Sequence, residues 1–217
     1  MYLPDNIIRH FLRNVYFVSG TACGGKSTIS EYLSKKYDIA LYNWDEQFSK
    51  HKEISDPFYQ PAMNKEYRTW EEHFSRPPKE YSDSLKKSIR EQVEIAILDL
   101  VRIAKDQKVI VDGIFPCDIL RDISSPDRVV FLMAKIEVIR EVFFDRSDKK
   151  EMLDCLKKLD NSIKLIENMF KALEYTLDDD MKDVQKSGFK YFIIRELNPD
   201  WEGIIHDIEK HFSFITL

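Results

Sequence analysis

Cysteine is scarce in this sequence: Cys23, Cys117 and Cys155 are odd in number and follow no spacing pattern. They exclude a disulfide framework and a cysteine-built zinc site, and they fit reduced thiols in a cytoplasmic protein. Long apolar runs are missing too. No stretch approaches the roughly 20 apolar residues that cross a bilayer. Residues 1–14 (MYLPDNIIRHFLRN) mix polar with apolar positions, as a short amphipathic helix does and a signal peptide does not. Positive charge is not in excess either. The formal net charge is -5, and no basic stripe offsets it, so neither nucleic acid nor a membrane is expected as the main partner. Internal repeats and low-complexity segments are absent.

What is present reads as one globular unit. The chain has 217 residues, 43% of them apolar and 33% charged, enough for one sizeable core and too few for two large domains. Residues 1–217 are therefore expected to form a single domain with an insertion. Residues 14–19 (NVYFVS) read as a buried strand, 20–26 as a glycine-rich loop, and 27–37 as a helix with Ile29, Tyr32 and Leu33 on one face. A short strand at 39–43 follows. Residues 46–76 are aromatic and polar with no sustained period and close on the breaker pair Pro77 and Pro78, so 46–81 is assigned as an insertion. A helix at 82–105, strands at 108–111 and 128–133, and a helix at 136–145 come next. Asp148 with Glu151 resembles a capping box, and apolar residues from Met152 to Leu177 then alternate spacings of four and three. That seam predicts one long helix in a lid region at 146–186, packed on its own core or on a second copy, so the protein is expected as a monomer or homodimer. A strand at 189–194 and a helix at 201–212 complete an α/β pattern, which implies right-handed crossovers and a parallel sheet covered on both faces.

The chemistry is concentrated in short motifs. Gly20, Gly25, Lys26 and Ser27 stand in the pattern G-x-x-x-x-G-K-[ST], written GTACGGKS. Glycines let successive N–H groups of Thr21, Ala22, Cys23, Gly24 and Gly25 turn toward an anion, and the helix that opens at Lys26, Ser27 and Thr28 adds its positive end. Lys26 is expected on the β- and γ-phosphates and the Ser27 hydroxyl on Mg²⁺. A chance glycine-rich turn is the bland alternative; an apolar strand before the motif and an amphipathic helix after it argue against that. Asp112 ends the apolar run VIVDG, where an acid either holds the Mg²⁺ shell or caps a turn. Asp45 leaves the second strand at the carboxyl edge of the sheet, where it either directs an acceptor hydroxyl or caps the next helix. Arg140 and Arg146 are candidates for neutralising transferring charge, with solvated surface arginines as the alternative. Of Arg68, His73, Arg76 and Arg90, the cations in or near the insertion, Arg90 is the best placed to meet an acidic acceptor, with Arg68 a second candidate. His51 and His73 have no metal-ligand spacing.

With these residues the chain resembles the P-loop small-molecule kinases, the group that includes nucleoside monophosphate kinases, shikimate and gluconate kinases, and chloramphenicol phosphotransferase. Asp112, Gly113, Phe115 and Pro116 are similar to the D-G-F-P-R motif of adenylate kinases with one residue inserted, and Cys117 stands where the family's arginine grips an acceptor phosphate. Asp45 matches the aspartate that meets the acceptor hydroxyl in shikimate kinase and chloramphenicol phosphotransferase. The resemblance implies sheet order 2-3-1-4-5, a lid bearing paired arginines at Arg140 and Arg146, and a segment from Glu196 to Pro199 beside the adenine. The expected activity is Mg²⁺-dependent transfer of the γ-phosphoryl of ATP to a hydroxyl or phosphate of a small molecule. A nucleoside monophosphate kinase and a nucleotide-binding regulatory module without turnover are the alternatives. A GTPase switch is excluded, because Asn64 and Lys65 are followed by Glu66 and Tyr67 instead of completing N-K-x-D.

Overall fold

In the computed structural model, residues 5–215 are described. The first element is α1 (Asp5–Phe11), and residues 1–4 of the expected amphipathic helix lie outside the described range. β1 (Val15–Gly20), α2 (Lys26–Tyr37) and β2 (Ala40–Asn43) follow, then a 3-10 turn at Asp45–Gln47, α3 (Phe48–Ile54), α4 (Trp70–Phe74) and α5 (Pro78–Ile103). The second half runs β3 (Val109–Asp112), α6 (Cys117–Ile123), β4 (Val129–Ala134), α7 (Ile136–Val142), α8 (Lys150–Lys157), α9 (Ser162–Ser187), β5 (Lys190–Ile194) and α10 (Trp201–His211).

The five strands form one parallel sheet in the order β2-β3-β1-β4-β5, the order expected from the resemblance. β1 and β4 are buried at every position, because parallel strands in the middle of a sheet are covered on both faces. Side chains alternate between those faces. Phe17, Val111 and Phe131 meet Val93 and Leu100 of α5 and Leu120 of α6, while Val18, Ile110 and Leu132 meet Ile29 and Leu33 of α2 and Ile208 of α10. A third apolar cluster, with Ala134, Ile139, Leu156, Met169 and Phe170, joins α7, α8 and α9 beyond the end of β4. Parallel pairing brings the ends of β1, β2 and β3 to one edge, with Val18 opposite Asp112 and Asp112 opposite Asn43.

Three expectations are corrected. Pro77 and Pro78 do not end a segment; Pro78 opens α5, four residues before 82, because a first-turn residue needs no N–H donor and proline's fixed φ suits a helix start. The single helix expected across 146–186 is two, α8 and α9, separated at residues 158–161, and Ile163 of the seam is 80% exposed. Asp148 builds no capping box: α8 starts after Lys149 without a side-chain cap, and Asp148 is held by Arg146 and Lys149 instead. The remainder of the seam turns inward, with Leu156 and Phe170 buried in the chain's own core. Within 46–81 the structure forms α3, α4 and the first turn of α5, and α6 is an element the sequence pattern did not announce.

Candidate functional site

The glycine-rich loop is shaped by what it leans on. Thr21 N donates to the Leu132 carbonyl of β4 at 3.0 Å, and Ala134 N donates to Thr21 Oγ1 at 2.8 Å. Gly20 turns with φ 125°, and a Cβ there would overlap the Leu132 carbonyl oxygen. Gly25, at φ 84°, caps α2, and a Cβ there would overlap the Trp201 indole. Both positions need glycine for backbone angle and for space. No side chain caps α2 and its first turn carries no acid, so its leading N–H groups keep their affinity for an anion.

Lys26 folds back over this loop, its Nζ donating to the Thr21 carbonyl at 2.7 Å. Burial lowers its pKa, against the opposing pull of Asp112 and Asp45. Asp112 is buried at the end of β3, and that burial raises its pKa although Ser27, Lys26 and Arg146 favour the carboxylate. The exit of β2 is fixed beside it: Trp44 N donates to the Asp112 carbonyl at 2.9 Å, and Gln92 Nε2 donates to the Trp44 carbonyl at 3.1 Å. Asp45 follows directly and is exposed. The residue that caps its 3-10 turn is Trp44 and the one that caps α3 is Gln47, so Asp45 takes neither cap position. Arg146 approaches from the far side. Its Nε and Nη2 each donate to Asp148 at 3.0 Å, and Nη2 lies 3.6 Å from Asp45 Oδ2.

One open cleft of about 1210 Å³ collects Lys26, Ser27, Asp45, Asp112, Arg146 and Trp201. Cys23, Gly24, Gly25 and Thr28 line it as well, as does Leu197, from the segment expected to border a base. The Ser27 hydroxyl and the Asp112 carboxylate are hard oxygen donors of the kind Mg²⁺ takes, so the residues present fit that ion together with phosphate oxygens.

Other expected residues lie elsewhere. Arg140 clamps α7 to α9, donating to Glu167 at 2.8 and 3.2 Å and to Glu174 at 3.2 Å above the Phe170 ring. Arg90 makes a two-pronged pair with Asp118 at 3.0 and 2.5 Å. Arg68 is exposed in a separate groove of about 770 Å³ that also holds Lys52, Trp70 and His73. Arg76 is the unexpected cation. Its guanidinium lies 4.3 Å from the Tyr67 ring centroid and 4.7 Å from that of Tyr81, and both Nη atoms are buried without a hydrogen-bond partner among the described residues. Neighbouring His73 is pushed down to about 4 by burial, then by Arg76 and Lys65. Trp201 is the cleft residue that sequence reasoning missed; it reads as the first residue of an ordinary helix, and its contact with Gly25 arises only in three dimensions.

No family model matches the sequence, and no curated protein matches it. Among solved structures the chain is similar to shikimate kinase from Acinetobacter baumannii in complex with shikimate, at 13% identity over 97% of this chain and 98% of that one, with a TM-score of 0.46. A likeness of that size carries nothing about substrate or activity.

Proposed function

We propose that this cleft transfers the γ-phosphoryl group of ATP to a hydroxyl of a small molecule. The observation that carries the reading is the meeting of a glycine loop, Lys26, Ser27, Asp112, Asp45 and Arg146 in one cleft at the carboxyl edge of a parallel sheet. In this reading the amides from Thr21 to Gly25 and the start of α2 hold the phosphates, and Lys26 exchanges the Thr21 carbonyl for phosphate oxygens. Ser27 and Asp112 hold Mg²⁺, which when bound neutralises charge on the β- and γ-phosphates. Asp45 orients the acceptor hydroxyl and accepts its proton. Arg146 turns from Asp148 to the transferring group. Trp201 and Leu197 border the nucleobase. Arg90 is already satisfied by Asp118, and Arg76 is buried between Tyr67 and Tyr81, so neither is assigned to the acceptor.

The direct test is ADP release from ATP and Mg²⁺ over a panel of nucleosides, nucleotides, sugars and hydroxylated acids. Turnover with one hydroxylated class supports the reading. Silence across the panel with intact ATP binding would replace it by a nucleotide-binding module without turnover.

Asp45→Asn separates binding from chemistry. Removing a proton acceptor of this kind lowers kcat by about 10²-fold, while Kd for ATP should stay unchanged because Asp45 stands outside the phosphate loop. Steady-state kinetics with the true acceptor decides it; an unchanged kcat would remove Asp45 from the mechanism.

Cys23 offers a chemical probe. It sits in the loop with φ 57° and is half-buried, and burial raises its pKa despite Arg146 and Lys26. Because the thiolate is the reactive form, iodoacetamide should label Cys23 slowly at neutral pH and faster as pH rises. Bound ATP should block labelling, and the adduct should weaken ATP binding. Peptide mass spectrometry with and without MgATP measures both effects, with Cys23→Ala as the control for Cys155. Equal labelling in the two conditions would contradict a phosphate seat in this loop.

A further inference from the structure

A second cleft, of about 730 Å³, lies behind the phosphate loop against β4 and helices α5, α6 and α9. Ser19 and Phe115 form the partition: Phe115 N donates to Ser19 Oγ at 2.9 Å, and Ser19 Oγ donates to the Phe115 carbonyl at 3.2 Å. Its floor is apolar, built from Ile89, Phe115, Phe131 and Met133. Charges gather around that floor, and the cations among them are already satisfied. Arg90 is taken by Asp118, and Lys86 Nζ lies 2.6 Å from Asp179 Oδ2. Half-buried Asp180 and exposed Asp183 of α9 also line the cleft, and neither side chain has an ion-pair or hydrogen-bond partner among the described residues.

The uncompensated charge over the apolar floor is therefore negative. A carboxylate withdrawn from water beside apolar side chains costs free energy unless a cation or donor meets it. We propose that this cleft binds an organic cation, a small molecule with a compact apolar body and a protonated amine, whose ammonium pairs with Asp180 while the body lies on Phe115, Phe131 and Met133. Two neighbours report the same field. Burial pushes Asp180 up to about 6, with Asp183 and Asp179 adding to the shift and Lys86 opposing it. Cys117 is pushed up to about 12 by burial and then by Asp183 and Asp180. The charged or titratable groups facing Asp180 are thus Lys86 and Arg90 from α5, Cys117 and Asp118 from α6, and Asp179 and Asp183 from α9; β4 presents apolar side chains.

Calorimetric titration without nucleotide tests this with three probes of one shape: 2-phenylethylamine, 2-phenylethanol and 3-phenylpropionate. The amine should bind saturably, and the alcohol and the acid about tenfold more weakly or worse, as expected when a charge-assisted hydrogen bond is lost. Amine affinity should fall between about pH 7.5 and about pH 5, as Asp180 takes up a proton. Asp180→Asn should weaken the amine by a similar factor and leave ATP affinity unchanged. Asp183→Asn, at an exposed position, provides a second variant with a smaller effect in the same direction. Equal binding of alcohol and amine, preference for the acid, no binding of any probe, or amine binding unchanged in both variants would each overturn the proposal. Since no nucleotide is present, such failure leaves the phosphoryl-transfer reading standing.

Discussion

Replacing Lys26 with alanine is expected to lower ADP formation by about 10³-fold, the scale on which a preorganised charge at a transferring phosphoryl group acts. The ammonium reaches across the loop to the Thr21 carbonyl, so it already stands over the seat that phosphate oxygens would take. The fold should survive the change. Burial lowers the Lys26 pKa in the folded chain, so ionisation there opposes folding at neutral pH. The sign follows from linkage: the unfolded chain holds this proton more tightly, and stability therefore rises as pH climbs from the lowered value toward the ordinary lysine value. Lys26→Ala removes that cost, so its thermal midpoint should equal or exceed that of the parent. An ADP-release assay beside a melting curve measures both. Undiminished ADP formation would end the phosphate-loop assignment.

The two candidate lid arginines should part company by a similarly large margin. Arg146→Ala is expected to lower kcat by about 10²- to 10³-fold with little change in KM for the acceptor, because Arg146 faces the cleft beside Asp45 and its charge is needed in the transition state. Arg140→Ala should leave kcat nearly intact. Arg140 is committed to Glu167 and Glu174 and lies over Phe170, a partly exposed clamp whose loss costs about 1 kcal/mol or less, roughly 2–4 °C in Tm for a chain of this size. Kinetics and thermal unfolding on the same two variants decide the matter. The reverse pattern, with Arg140→Ala inactive and Arg146→Ala merely less stable, would reassign the transferring charge.

How much of this was readable beforehand depends on whether the signal is local. β1 and β4 are continuous apolar runs because both of their faces are covered, and the phosphate loop must spell out its glycines because backbone angles at Gly20 and Gly25 demand them. Such features survive in one dimension. The choice between Arg140 and Arg146 does not, since it depends on Glu167 and Glu174 arriving from α9. Sequence position favoured Arg90 over Arg76, yet neither its ion pair with Asp118 nor the aromatic sandwich around Arg76 could be read from position. The break between α8 and α9 has neither proline nor glycine at residues 158–161, so the heptad spacing ran through it unchecked. Asp148 fitted a capping pattern by spacing, yet Arg146 and Lys149 offered it charge-assisted bonds that a local cap could not match.

The loop at residues 20–25 does not stand on its own neighbours. Its first residues rest on Leu132, and Gly25 is roofed by Trp201, partners that a ribosome makes far later than the loop itself. During synthesis the glycines and Lys26 therefore emerge before these partners, and Gly25 gains its indole roof only once α10 has docked. Folding intermediates in which α10 is undocked should bind nucleotide more weakly than the native chain.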